Sequence, residues 1–513
     1  MSSSRRIGII DIGSNSIRLA IYELLAAGGY RVVSEFKESA RLSGRIGADG
    51  SLPPAEIQAT AQILKHFKRI CEKHEVSEFR AAATAAIRNA SNSEEIVETL
   101  RQESGFPIEI MSGEDEARIG FLGMIRTMDV EDGFLVDIGG GSTEVSLFRN
   151  RQLQHSVSFP FGAVNTTRKF ATDGEFQEEQ LLGIRQMVEQ ALAGEPWIKE
   201  APGLPLIGLG GGVRTLSKIS QRRRKYSFLQ THNYTVTADE MDELASWLPS
   251  LPAEKRKKVD GLAKDRHDII VPGLLILQTV FRAVNASHYV VSGAGLRDGL
   301  FFESFAPGDG TDRQVAEISS DNLLALHPTA PEAHIRQVCA NALRLYDALA
   351  DAGSHGYCPR IRLVLKIAAK LYRIGASLQY YQYQKHSFHM IAHTRIDGLS
   401  HREMLLCALI ASFKAKSRTQ QAMAPYKDIL LKTDLELICK LGVLLQLAIA
   451  LDVSETQAIE VMTAFTEGTT LHLKVRTKHD PSAEYREVEG HQKDFKKAWG
   501  IQLNLHELSF SKN

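Results

Sequence analysis

The chain has 513 residues, 43% hydrophobic and 24% charged, with 61 Lys and Arg balanced by 61 Asp and Glu. That length predicts several domains of roughly 150 residues each, and the composition is that of a globular protein with a sizeable core. It excludes a bilayer span, since no apolar run reaches the ~20 residues required, and five scattered cysteines without a CxxC pair argue against a disulfide framework or zinc site.

The N-terminal residues, Met1 to Arg6, lack the apolar region of a signal peptide, so a cytoplasmic location is expected. Residues 6–38 read as three strands. The first ends in Ile9-Ile10-Asp11-Ile12-Gly13-Ser14, and the chain returns through Ile17 to Tyr22. Pro53-Pro54 opens a helix with apolar positions at Ile57, Ala61, Leu64, Phe67 and Cys71. A small-residue strand, Phe79 to Thr84, leads into Arg88 just beyond its end. A helix near Glu94 to Arg101, a strand at Ile108 to Met111 and a helix from Glu114 to Ile125 follow. That last helix starts Ser112-Gly113-Glu114-Asp115-Glu116, an N-cap followed by acids that answer the helix dipole.

The opening pattern then repeats as Leu135-Val136-Asp137-Ile138-Gly139-Gly140-Gly141-Ser142. Residues 133–160 give three more strands, with helices near Asn165 to Phe170 and Glu175 to Leu192. A strand at Leu206 to Leu209 breaks at Gly210-Gly211-Gly212 and enters a helix at Val213 to Ile219. Helices near Asp239 to Leu248 and Asp268 to Val284 lead to a strand at Tyr289 to Val291 and the turn Ser292-Gly293-Ala294-Gly295. Both halves share one strand–helix order, which predicts a duplicated α/β core around mixed sheets. Ala306 to Thr311 is a breaker-rich linker. Strand signals vanish from about 314 to 465, and alternation returns around a polar helix in 470–513, predicting a small α+β tail.

Two Asp-Gly-hydroxyl hairpins point to phosphate chemistry. Their tips expose backbone N–H groups and hydroxyls that cradle phosphate oxygens, and an Asp at a strand end can hold a metal directly or through water. A single such turn is an ordinary hairpin; its repetition, with three consecutive glycines, indicates close backbone approach. The glycines at 210–212 open a helix, where an anion is favoured, although helix–strand packing explains them equally. A carboxylate at 114–116 can activate water, and Arg88 can bind phosphate or form a surface salt bridge. Between Arg360 and Lys432, thirteen Lys and Arg stand against Asp397, Glu403 and Asp428. That stretch is either a solvated helical face or a track for a polyanion.

The segments DIGSNSIRL (11–19), TAAIRNASN (84–92), SGEDEARIG (112–120), DIGGGSTE (137–144), GLGGGVRTL (208–216) and SGAGLRDG (292–299) together resemble the exopolyphosphatase / guanosine pentaphosphate phosphohydrolase (Ppx/GppA) family. The resemblance implies a duplicated actin-like, ribonuclease H-like (ASKHA) α/β core, with domains at 1–127 and 128–305. An all-α HD-like domain at 312–468 and a small α+β domain at 469–513 would follow. Tyr372 and Arg373 stand where the HD pair would be, so that motif is degenerate and its metal site lost. The implied reaction is Mg²⁺-assisted release of terminal phosphate from inorganic polyphosphate, or of the 5′ γ-phosphate of guanosine pentaphosphate, which connects to the stringent response. Carried over by motif, Glu116 is the general base, and Asp11, Asp137 and Glu144 hold metal and water. Ser14, Asn15, Arg88, Gly139, Gly140, Gly141, Ser142, Thr143 and Arg266 grip phosphate, and Gly210, Gly211 and Gly212 lie where related kinases hold a nucleotide. A homodimer and no nucleic-acid partner are implied. The alternatives are a non-catalytic polyphosphate or alarmone sensor and an ATP-dependent kinase of the same fold.

Overall fold

The computed structural model describes residues 5–26, 28–172, 174–306 and 314–507, which fall into two units meeting at Val315/Ala316. Most of the linker expected at Ala306–Thr311 lies outside the described residues.

The first unit is built on two sheets of matching topology. Strands β1 (Arg5–Ile12), β2 (Ser16–Leu24), β3 (Tyr30–Ser39), β4 (Glu78–Ala83) and β5 (Ile108–Ile110) lie in the order β3-β2-β1-β4-β5. Strands β6 (Gly133–Ile138), β7 (Thr143–Arg149), β8 (Gln152–Phe159), β9 (Leu206–Leu209), β10 (Thr235–Val236) and β11 (Tyr289–Val291) repeat it as β8-β7-β6-β9-β11, with β10 added at the edge. In each sheet the first three strands are antiparallel and the next two join in parallel. The central strand β1 is covered on both faces, which is why Ile7 to Ile12 reads as a nearly unbroken apolar run. The Pro54–Lys73 helix buries Ile57, Ala61, Leu64, Phe67 and Cys71, the stripe its 3.6-residue spacing predicts.

Two helices tie the halves together. The Gly113–Ile125 helix buries Phe121, Met124 and Ile125 against Leu135, Phe148, Ile207 and Leu209 of the second sheet. The Leu296–Phe305 helix crosses the other way, placing Leu300, Phe301 and Phe302 against Ile7, Ile9 and Tyr22 of the first. Tyr22 and Phe301 stack with ring centroids 4.1 Å apart. Where these helices meet, a methyl added to Gly299 would lie 1.9 Å from the Ile119 carbonyl oxygen. Arg151, 1% exposed, donates to the carbonyls of Ile125, Met128 and Val130 and so closes the C-terminal end of the first helix.

The second unit is helical from Val315 to Ala450, the last helix being Asp434–Ala450. A strand, β12 (Ile459–Glu467), then pairs with β13 (Thr470–Thr477), which pairs in parallel with β14 (Gln502–Glu507). The expected absence of strand up to 465 is therefore corrected. The segment from 459 is the outer arm of a hairpin turning at Gly468, with Val461 opposite Val475, Ala464 opposite Leu473 and Ile459 opposite Thr477. Where the resemblance would place an HD pair, the Tyr372 hydroxyl lies 2.6 Å from Nε2 of buried His334, whose Nδ1 is 2.8 Å from Asp452. Arg373 pairs with Glu455.

Candidate active site

The two hairpins meet tip to tip. In each, the first glycine N–H donates to the carbonyl three residues on: Gly13 to Ser16 at 3.2 Å, Gly139 to Ser142 at 3.0 Å. A methyl on Gly140 would lie 2.9 Å from the Ser14 Cβ, and one on Gly141 would lie 3.0 Å from the Ser14 hydroxyl. The glycines of the second copy are therefore what lets the first copy's tip approach. The Gly139 and Gly140 carbonyls accept from Ala163 and Val164, at the start of the next helix.

Beneath the tips is a cavity of about 140 Å³, lined by Asp11, Gly13, Ser14 and Asn15 from the first hairpin and Asp137, Gly139, Gly140 and Ser142 from the second. Glu116, Thr84, Gly210, Gly211 and Arg266 complete the walls named by motif, together with Arg18, Arg214 and Arg297. The Asn15 amide is buried with neither its nitrogen nor its oxygen hydrogen-bonded, a donor held ready for a ligand. Gly210 has φ +90°, and a side chain there would also meet the Asp137 carboxylate at 2.8 Å. The helix expected from Val213 in fact begins at Gly210, so the glycines form its first turn.

The remaining sites named by motif lie just behind this wall. Thr143 is fully buried, and its hydroxyl donates to the Phe161 carbonyl at 2.7 Å. The Gly141 carbonyl accepts from the Asn165 amide at 3.0 Å. Glu144 is 3% exposed and accepts from the Ser158 hydroxyl at 2.7 Å. Arg88 donates to Glu116 at 2.8 Å and to the Met111 carbonyl at 2.9 Å. Gly212 faces a neighbouring recess beside Arg266.

Charges of both signs line the cavity: Asp298 stands beside Arg297, and Arg18 lies opposite Asp11. Burial raises the Glu116 carboxyl to about 7, with Asp137 and Asp11 adding to the rise and the Arg88 ion pair opposing it. Burial and Asp11 raise Asp137 to about 6, burial lifts Asp11, and Glu144 is pushed well above the carboxylate range by burial and by Glu116. Among the cations, burial and the guanidinium groups of Arg18 and Arg297 pull Arg214 down to about 10. Arg214 also donates to the carbonyls of Gly210 and Gly293, both at 3.3 Å, fastening the glycine turn to the 292–295 loop. Arg297 pairs with Glu35.

Arg18, Arg214 and Arg297 were not singled out from the sequence as site residues. The available signal was that three of the four glycine turns, all but Gly139–Gly141, are followed within five residues by an arginine: Gly13 by Arg18, Gly212 by Arg214, Gly295 by Arg297. Register explains a further contrast. Arg18 sits opposite Asp11 across the first hairpin, and Glu144 sits opposite Asp137 across the second, so equivalent positions carry opposite charges.

Among the described residues no three His, Cys, Asp or Glu side chains form a cage for a metal ion. Asp11 and Asp137 line the cavity, and neither takes part in an ion pair or hydrogen bond among those residues. Two free carboxylates beside a phosphate site suit Mg²⁺, which takes one or two carboxylates and completes its shell with water and phosphate oxygens.

The second unit pairs much of its charge. Arg360, Arg362, Lys366, Lys370, Arg373, Arg395 and Arg402 each have a carboxylate partner. Lys385, Lys414 and Arg418 have none among the described residues, and they line a groove of about 810 Å³ that has no acidic side chain in its wall. Lys414 also borders a second cavity, with Lys416, Lys432 and Lys497.

A cleft of glycine hairpins, cations and withdrawn carboxylates defines a phosphate-handling protein, and comparison with known proteins narrows it further. The Ppx/GppA phosphatase family matches residues 21–306, and Ppx/GppA phosphatase, domain III, matches residues 322–489. The chain belongs to the Ppx/GppA family and is a phosphatase. It is 26% identical over 311 residues to Exopolyphosphatase 1 of Mycobacterium tuberculosis, covering 60% of this chain and 90% of that one. It is also 26% identical over 417 residues to the guanosine-5′-triphosphate,3′-diphosphate pyrophosphatase of Aeromonas salmonicida, covering 80% and 81%. The Ppx/GppA crystal structure from Aquifex aeolicus, 27% identical, matches with a TM-score of 0.52 over 59% of this chain and 98% of its own. An exopolyphosphatase from Cytophaga hutchinsonii, 24% identical, shares the fold with a TM-score of 0.54 over 60% and 100%. No helix among the described residues is long and apolar enough to cross a membrane.

Proposed function

We propose that the chain hydrolyses the terminal phosphoanhydride of inorganic polyphosphate, of guanosine pentaphosphate, or of both. Phosphoryl transfer needs positioning, charge neutralisation and an oriented nucleophile more than covalent chemistry. The observation that carries this reading is Glu116: a carboxyl raised to about 7 by burial, at the wall of a phosphate-sized cavity, held by Arg88. Such a group accepts a proton from water near neutral pH, as a general base must. Ser14, Asn15, Gly139, Gly140 and Ser142 orient the terminal phosphate, and the arginine wall takes charge from the chain behind it.

Asp11 and Asp137 would hold Mg²⁺, which when bound supplies charge neutralisation at the phosphate oxygens. Glu144, which the motif assigns to holding metal and water, would act from behind the wall, where it is hydrogen-bonded to Ser158. The unpaired cations of the second unit support a track for a long phosphate chain, since clustered cations concentrate polyanions. The duplicated core supports the actin-like assignment, and the degenerate HD position leaves the helical unit a binding role. As in the family, a cytoplasmic homodimer is the expected working form.

Parallel measurement of orthophosphate release from polyphosphate of varied length and from guanosine pentaphosphate, with Mg²⁺, tests the reading. Release from either substrate supports it. Phosphate transferred to an acceptor would identify a kinase instead, and tight binding without release would identify a sensor.

A further inference from the structure

The groove of the helical unit holds more than cations. Phe388, His389 and Tyr426 line it together with Lys385, Lys414 and Arg418. The Phe388 and Tyr426 ring centroids are 6.4 Å apart at an interplanar angle of 56°, so neither ring is stacked on the other. A bare phosphate chain calls for cations and hydrogen-bond donors, and it has no flat surface to lay on a ring. A polymer of nucleotides uses both, stacking its bases on aromatic faces while cations follow its backbone. Gln382 and Gln421, also in the wall, each offer an amide donor and acceptor, which suits the polar edges of bases.

The groove continues at both ends. Tyr380 and Tyr381 immediately precede Gln382, and they are 62% and 75% exposed, with ring centroids 5.7 Å apart. Adjacent exposed aromatics beside a cationic groove mark an interaction surface. At the other end, Lys414 borders the second cavity, of about 710 Å³, with Lys416, Lys432 and Lys497. Glu436 in that cavity is taken by Lys440, leaving Asp494 as the opposing acid. The groove and the cavity share Lys414 and together exceed the roughly 300–1,000 Å³ of a small-molecule site, so a linear polymer fits them better than a single nucleotide.

We propose that this surface binds single-stranded nucleic acid. Its bases lie on Phe388, His389 and Tyr426, with Tyr380 and Tyr381 extending the stack, and its phosphates follow Lys385, Lys414 and Arg418. This departs from the expectation of no nucleic-acid partner. The same cations serve the polyphosphate track, so bound nucleic acid would shield that track from long polyphosphate and leave tripolyphosphate hydrolysis untouched. That consequence rests on the hydrolase reading; the binding itself does not.

End-labelled oligo(U), oligo(dT) and polyphosphate of matched length, each titrated with the full chain and followed by fluorescence anisotropy, test the proposal. Binding of either oligonucleotide at physiological salt supports it, and the two sugars show whether RNA or DNA is preferred. Phe388→Leu with Tyr426→Leu keeps apolar bulk and removes the ring faces. That pair should weaken oligonucleotide binding about tenfold or more, while polyphosphate binding stays within about twofold. Tyr380→Ala with Tyr381→Ala should also weaken the oligonucleotide selectively, and its exposed positions keep the test open if the first pair fails to fold. Lys414→Gln with Arg418→Gln should weaken both ligands and make the salt slope of oligonucleotide binding shallower by about 1.4, two single-strand phosphate contacts. Absence of binding by wild type, or aromatic variants that lose both ligands in parallel or neither, would overturn the proposal and leave a phosphate track only. Oligonucleotide that inhibits release from long polyphosphate but not from tripolyphosphate supports the shielding, and equal inhibition of both rejects it. If no substrate released phosphate, the hydrolase reading would fall while the anisotropy still decided the groove.

Discussion

Arg88 Nη1 donates to Glu116 Oε2 at 2.8 Å, with both side chains largely withdrawn from water. The same arginine nitrogen donates to the Met111 carbonyl, at the end of β5, so it fixes Glu116 to the first sheet while the Glu116 helix packs on the second. The candidate base is thereby referenced to both halves of the cleft.

Glu116→Gln keeps the shape and removes the proton acceptor. Orthophosphate release should fall by about 10²–10⁴, the usual share of general acid–base catalysis, while equilibrium binding of polyphosphate stays within a few fold. A variant with full turnover would remove Glu116 from its role.

The pH profile follows from the same carboxyl. The base must be ionised, so kcat/KM should decline as pH falls through about 7, with an apparent midpoint belonging to the coupled carboxylates together. Glu116 is a like charge that raises Glu144, which therefore stays protonated while Glu116 titrates, so Glu144→Gln should leave this acid limb in place. Arg88 opposes the rise, so Arg88→Met should move it to higher pH.

Stability should respond with the opposite sense. Glu116, Asp137 and Glu144 have raised folded-state pKa values, so between about pH 4.5 and 7 the folded chain binds more protons than the unfolded one. Ligand-free stability therefore falls as pH rises through that window. Mg²⁺ competes with those protons, so millimolar Mg²⁺ should raise the melting temperature more at pH 8 than at pH 5.

Gly299→Ala sets a methyl 1.9 Å from the Ile119 carbonyl, where backbone has to move. Destabilisation of about 1–3 kcal/mol or more is expected, seen as a lower denaturation midpoint. Activity should fall with it, because Glu116 and Arg297 ride on the two helices being pushed apart.

Charge reversal of Lys414 and Arg418 together should raise KM for long polyphosphate several-fold and weaken its salt dependence. The KM for tripolyphosphate should not change, since only a long chain can occupy a second binding region. Equal effects on both lengths would count against the track.

Much of the cleft was legible because its chemistry sits in contiguous motifs. The hairpins, the helix start at Ser112 and the glycine turn at 210 are local features, and each leaves a local signature. The arginine wall was less so. Arg18, Arg214 and Arg297 are far apart in sequence and come together only when the two sheets are assembled, and their nearness to a glycine turn is too common a feature to mark them by itself. Glu144, which its motif put with the metal ligands, lies on β7, a strand buried along nearly its whole length, and accepts from Ser158. Strand β12 was missed because the alternation that starts at Ile459-Glu460-Val461 is broken where its ladder to β13 shifts register, between Val461 and Thr463.

Duplication alone would make a cleft whose two walls are interchangeable. The exchange of Arg18 for Glu144 at one register position removes that equivalence: the first hairpin sets a cation beside its Asp, and the second sets a buried carboxyl beside its own. A linear anion entering such a cleft has a direction. On the hydrolase reading proposed above, the two unlike hairpins would hold its end in one orientation only.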